Sequence, residues 1–462
     1  MSLPDARTQA AIATNRFGIG ARPGEIAEAS GDPRGWLLRQ VAAGPSPIPG
    51  GARLPTSAEA IARADAQARL DEARARARET KAEPTAMAKA PAAPRYDIYT
   101  EEVAARGRSA LETDRPFPER LVWFWSNHFS VSVDKAAVRA VAGAMEREAI
   151  RPHVLGRFED MLLAVIHHPA MIFYLDNQLS LGPASPRGEA SRRGLNENLG
   201  REVMELHTVG VSAGYTQADV TTFAKALTGW TVDRREDAGR RFGTFLFSPD
   251  MHEPGPKTIM GRTYPQEGED QAVAVLQDLA RHPATARHIA GKLARHFIAD
   301  RPPEAAVDAL AHTFLDTGGD LTAVARRLVA LDVAWSESPD KLKSPNEYIV
   351  SAMRGLGVET EEAVIMLRSV SMLGQRPFAA PSPAGWPDTA QDWAAPSAVY
   401  QRLEWAARVG QQVGPGLRQP GSLVGEMLGG QARPTLADAV DRAASGAQAV
   451  ALLLASPEFQ WR

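Results

Sequence analysis

The chain has 462 residues, 44% of them hydrophobic and 23% charged, the balance of a globular protein long enough for an extensive core. Its 52 lysines and arginines stand against 55 acidic residues, a net charge of -3, which leaves no basic field to gather a nucleic-acid backbone. The absence of cysteine excludes disulfides, thiolate metal sites and cysteine nucleophiles, so any metal would rest on His, Asp or Glu.

From the start, residues 5–15 read as a short helix stopped by FGIGARPGE, whose glycines and proline break the periodicity. A phosphate-loop reading of FGIGARPG fails, because no strand precedes it and no GK[ST] follows. The opening residues lack the basic start and apolar run of a secretory signal. No segment approaches the roughly 20 apolar residues of a membrane span, so a cytoplasmic location is the expectation. Residues 57–95 are rich in Ala, Arg and Glu and poor in large apolar side chains, predicting a protruding helical or disordered insertion. In RPFPERLVWFWSNHFS the apolar residues cover nearly every direction of a helix, which predicts burial all round with His128 facing inward.

The stretch NENLGREVMELHTVGVSAGYTQADV (196–220) is the densest in polar chemistry. At about 100° per residue, Glu197, Arg201, Glu205, Asn198 and Glu202 share one arc of a helix, while His207 falls elsewhere. Glu205 and His207 are two apart, so aiming both at one point requires distortion at the helix end. Gly200 inside a helix costs about 1 kcal/mol relative to Ala, which implies close approach of a neighbouring helix or a ligand. The plain reading is a solvated face with Glu197–Arg201 and Arg201–Glu205 pairs. The sharper one makes Glu202, Glu205 and His207 catalytic, with Asn196, Asn198, Arg201, Lys257 and Trp386 binding ligand. His128, His207 and His252 would then hold a divalent metal (Zn, Fe, Cu or Mn), since helical bundles do project such ligands inward. Thr216 with Asp219 predicts a capped helix to about Leu227.

After LTGWTV, the pattern Phe242-x-x-Phe245-x-Phe247 with its turn residues predicts a small β-hairpin near 242–260. Asp250, His252 and Glu253 cluster in the loop SPDMHEPGPK. Helices resume to about residue 375, and Thr285, His288, Lys292 and Arg295 share an arc that could bind an anion. The loop GQRPFAAPSPAGWPDTAQDWAAPS is long and aromatic, as functional or core-wrapping loops are, and two or three helices close the chain. The fold class is therefore mainly α, one large multi-helix, bundle-like domain. Its expected segments are N-terminal helices (1–56), the insertion (57–95), a helical core carrying the polar stretch and hairpin (96–375), and the Pro/Trp loop with C-terminal helices (376–462).

NRFGIGARPGE, ERLVWFWSNHFS, the 196–220 stretch, LTGW, HPATARHIAGKLARHF, PSPAGWP and LLLASPEFQ run in order along nearly the whole chain. Together they resemble the signature blocks of the bacterial domain of unknown function 1800 family. The resemblance carries no established reaction. It implies an association with a sulfatase-like, exported uncharacterised family, and with it a partner and co-export to the periplasm. Two functions follow as expectations: a helical enzyme, a metal-dependent hydrolase or oxidoreductase, or a non-enzymatic accessory partner of the sulfatase-like protein.

Overall fold

The computed structural model describes the whole chain except residues 1–2, 81–97, 192, 236–238, 360–362, 418 and 420. It is mainly helical, as expected, and among the described residues no helix is long and apolar enough to cross a membrane. The helix Ser57–Thr80 accounts for the described part of the insertion, and the rest of that segment lies outside the described residues. Its base is anchored rather than free: Ala60 and Ile61 are buried, and Ser57 N donates to Glu148 Oε1 at 2.8 Å.

Two apolar cores organise the chain. The larger joins residues from Ala10 to Trp335 with Ala379, and the smaller joins Tyr348 to Phe459 with Ile19, Ala110, Leu111 and Trp123. The helix Pro116–His128 serves both, because its side chains are buried on every face as the sequence requires. Strands are sparse. β1 (Trp230–Val232) pairs antiparallel with β2 (Phe245–Phe247), and β3 (Lys257–Ile259) with β4 (Arg262–Tyr264). The sequence reading had one hairpin near 242–260. Instead the phenylalanine strand pairs backwards with the WTV of LTGWTV, whose aromatic and β-branched residues suit a pleated surface. The second pair closes on Met260 and Gly261, both at positive φ, the geometry of a tight two-residue hairpin turn.

The N-terminal block is a structural keystone. Gly18 O accepts from Arg120 Nη1 at 2.7 Å and Gly20 O from Arg354 Nε at 2.8 Å. A phosphate loop presents N–H groups, whereas this one turns carbonyls towards buried arginines. Arg354 also grips Glu25 through two bonds of 2.9 and 3.0 Å, tying the block to the helix Pro345–Gly355 of the smaller core.

Candidate functional site

Residues 196–220 form the helix Asn198–Glu202, which widens into a π-helical turn over Val203–His207 and stops there. This is the distortion that the Glu205/His207 spacing calls for, and wide turns of this kind are often retained at functional positions. The glutamates and the histidine nevertheless part company. Arg201 bridges Glu197 at 2.9 Å and Glu205 at 3.4 Å, as in the plain reading, and all three remain partly exposed. Glu202 is partly buried; burial first, and then the Glu205 charge, raise its carboxyl above the ordinary range. Asn196 clasps the backbone, donating to Leu175 O and Asp176 O and accepting from Asn198 N, while the Asn198 side chain is exposed. Gly200 is explained by a neighbouring helix: a Cβ there would lie 3.1 Å from Ala224 N on the helix Gln217–Ala226. That helix begins with the expected Thr216–Asp219 capping box. Arg201→Ala should accordingly cost under about 1 kcal/mol in urea unfolding; a loss several times larger would contradict a solvated pair.

The three histidines do not form a ligand set. His128 is buried, and its Nε2 donates to His207 O at 3.1 Å. His207 is fully buried against Phe129 and 6.0 Å, ring to ring, from His128; neither of its ring nitrogens has a partner among the described residues. Burial, followed by the Lys292 and His288 charges, pushes its pKa down to about 3. His252 is committed to Thr228 O through Nδ1 at 2.9 Å, packed on Phe247. Among the described residues no group of three or more His, Asp or Glu is placed to hold a metal. Lys257, assigned to a ligand, instead spends its ammonium on three backbone carbonyls, Glu253 at 2.6 Å, Gly255 at 2.7 Å and Pro254 at 3.3 Å.

A cavity of about 370 Å³ lies elsewhere, between the helix Pro116–His128, the turn Glu146–Ile150, the helix Pro283–Phe297 and the loop around Trp386. Of the predicted site residues, His128 and Trp386 line it. The loop is seated by Asn127, whose Oδ1 accepts from Trp386 N at 2.7 Å and whose Nδ2 donates to Trp386 O at 2.9 Å. Gly385, at φ 85, allows this, since a Cβ there would strike Asn127 O at 2.4 Å.

The helix Pro283–Phe297 buries Ala286, Ile289, Ala290, Leu293, Ala294 and Phe297. Along the edge of that apolar arc run His288, Lys292 and His296, four residues apart and therefore stacked on one face. His296 Nδ1 bonds Asp388 Oδ2 at 2.8 Å, and the carboxylate acceptor places the proton on Nδ1. Nε2 is thereby left as the lone-pair nitrogen, shielded from solvent and without a partner among the described residues. Burial lowers the pKa of His296 although Asp388 acts the other way, so the ring is neutral. Burial alone would raise the Asp388 carboxyl; His296 and Lys341 outweigh it and hold the group well below the carboxylate range. Lys341 Nζ sits 3.3 Å from Asp388 Oδ1 and 2.6 Å from Asp300 Oδ1, fixing the loop from beneath.

Three other charged residues on the wall, Arg106, Glu146 and Glu347, are paired. Arg106 Nε meets Glu146 at 3.0 Å, and Glu347 is held by Arg120 and Arg462. Lys292 has no hydrogen bond or ion pair with any described residue, and Arg295 is exposed beside it. Sequence reading grouped Lys292 and Arg295 but passed over His296 and Asp388. The available signals were the four-residue repeat His288, Lys292, His296 and the acid in WPD.

No curated protein and no solved structure matches the chain. The model of the family described as protein of unknown function, DUF1800, matches residues 12–461, a span that holds the core, the π turn and the Trp386 loop, and the chain is a member of the DUF1800 family.

Proposed function

We propose that the cavity is the active site of an enzyme that transfers a proton on a small, negatively charged organic molecule, with His296 as acid–base and Asp388 as its orienting carboxylate. The observation that carries this is the 2.8 Å Asp388–His296 bond, which leaves an unpartnered, solvent-shielded Nε2 on a residue that lines the cavity together with an unpaired lysine. A histidine held by a carboxylate through Nδ1 can accept a proton at Nε2 and stabilise the resulting charge. Nε2 lies just beneath the wall, and catalytic contacts of this kind commonly tighten only when substrate binds. Exposed Arg295 supplies positive potential at the cavity wall, and the volume is at the small end of the roughly 300–1,000 Å³ usual for ligand sites. The Trp386 loop packs on Asn127 and lines the cavity, which supports reading it as part of this site. Glu202, Glu205 and His207 are read as scaffold.

The test is solvent deuterium exchange, followed by NMR over a panel of small hydroxy-, keto- and phospho-carboxylates. At least one compound should exchange with the wild-type protein. His296→Gln and Asp388→Asn should slow that exchange roughly 100-fold or more while melting temperature changes little. Exchange that is indifferent to His296→Gln, or a panel inert to the wild-type protein, overturns the assignment.

A further inference from the structure

We propose that Lys292 is a nucleophile that forms an imine with a small aldehyde or ketone bearing an anionic group. The proposal rests on the acid–base site above and names the substrate class of that site.

Six of the described lysines are wholly or partly buried, and five are occupied: Lys135 is paired with Asp176 and Lys225 with Glu253, both near the surface. Lys257 donates to three carbonyls, Lys341 is paired with Asp300 and Asp388, and Lys343 bonds Ser351 Oγ at 3.1 Å with its ammonium 4.0 Å from the Phe459 ring centre. Lys292 alone of these has no hydrogen bond or ion pair among the described residues, and it lines the cavity. An unpaired ammonium inside a wall is costly unless the group spends time neutral. Its neighbours add to that pressure. Burial is the largest influence on Lys292, Arg295 adds repulsion, and Asp388 opposes them, leaving the pKa at about 8. The groups facing it are His128 from the helix across the cavity, His207 behind, His288 and His296 on its own helix, Arg295, and Asp388, which is already engaged by His296 and Lys341. Lys257 is lowered to a similar value, yet its three carbonyl acceptors leave it no freedom to react. The distinction between these two lysines is one of geometry.

The chemistry balances within the site. Neutral Nζ attacks the carbonyl carbon, forming a C–N bond as the C=O π pair moves to oxygen, which takes up a proton. Neutral His296 takes the proton that the nitrogen loses and returns it to the hydroxyl, and water leaves as the C=N bond forms. The proton first taken up by the oxygen comes from solvent and goes back to it when the imine deprotonates. The sum is amine plus carbonyl to imine plus water, with no oxidant or reductant. A protonated imine withdraws electrons from the adjacent carbon, which assists proton removal there by His296, one helical turn away. Exposed Arg295 favours an anionic substituent on the substrate.

The test uses the full-length protein with glyoxylate and cyanoborohydride, which converts any imine to a stable carboxymethyl-lysine located by peptide mass spectrometry. At pH 7, Lys292 should be modified roughly 10-fold or more faster than the partly exposed, ion-paired Lys135 and Lys225, an advantage that fades towards pH 10 as ordinary lysines lose their protons. Lys292→Arg should keep the fold and lose the label; His296→Gln should slow the labelling. Labelling of Lys292 no faster than that of Lys225 overturns the imine. If the deuterium exchange of the wild-type protein still depends on His296 in that case, the acid–base site stands without it. Fast labelling of Lys292 alongside exchange that ignores His296 has the opposite meaning: a reactive lysine survives and the acid–base assignment falls.

Discussion

Glu347→Ala is expected to lower stability by about 3–5 kcal/mol, the usual consequence of stranding buried charge. Glu347 is buried, and its Oε1 holds both Arg120 and Arg462, the latter at 2.9 Å. Its Oε2 accepts from Ser344 N at 2.8 Å, closing the capping box of the helix Pro345–Gly355. Burial would raise this carboxyl, but Arg120 and Arg462 overcome it and hold the group far below its ordinary range. Removing it takes the nearest counter-charge from Arg120 and Arg462, each 1% exposed, and from Lys343, 2% exposed. The cations already show the strain: burial, with Arg462 adding to it, lowers Arg120 to about 9, and burial lowers Lys343 to about 7. Urea unfolding followed by circular dichroism gives the midpoint. Glu347→Gln, which preserves shape and part of the cap, should fall between wild type and Ala. A midpoint for Glu347→Ala within about 1 kcal/mol of wild type would show that the arginines find other partners, since losses of that size are ordinary for any substitution. This cluster lies against the cavity through His296, whose carbonyl accepts from Arg462 Nη1 at 3.0 Å. The framework that keeps the protein folded also sets the position of the proposed base.

Acid should destabilise the protein well before its carboxylates titrate. His128, His207, His252, His288 and His296 all have pKa values lowered mainly by burial, with His207 at about 3. The unfolded chain takes up these protons near pH 6.5 and the folded chain does not, so the associated stability is complete above that pH. It is lost as pH falls from 6.5 towards the lowered folded values, at up to about 1.4 kcal/mol per pH unit for each proton withheld. Below the ordinary carboxylate range, Glu347 and Asp388 add to the loss, because their acids are held down in the fold. Thermal midpoints measured from pH 7.5 to 4.5 should therefore drop steeply. His207→Phe should flatten that slope by about one proton, because this ring has no polar partner to forfeit. A wild-type midpoint that stays level across this range would mean that the histidines take up protons without opening the structure.

Much of the architecture could be read from local pattern. The all-round apolar helix Pro116–His128, the Thr216–Asp219 cap and the helical run that opens the insertion each depend on residues within a few positions of one another, as capping and helix propensity do; the anchoring of that run to Glu148 does not. The strand pairing did not follow from pattern, since β1 and β2 meet across a dozen residues of chain and the choice of partner is tertiary. The polar stretch 196–220 advertised more chemistry than it holds. Charge density there is satisfied by Arg201 and by backbone, and the fold turns Glu202 and Glu205 away from the buried His207.

The sequence by itself determined family membership, the helical class and the inward aim of His128, because each is carried by ordered motifs or by a single helix's periodicity. Only the tertiary structure decided where chemistry can occur. His296 and Asp388 are 92 positions apart, and no local rule pairs a helix histidine with a loop acid across that span. Nor does sequence distinguish Lys257 from Lys292, two lysines pushed to similar values by burial. What separates them is whether backbone carbonyls surround the ammonium, and that depends on how distant segments pack.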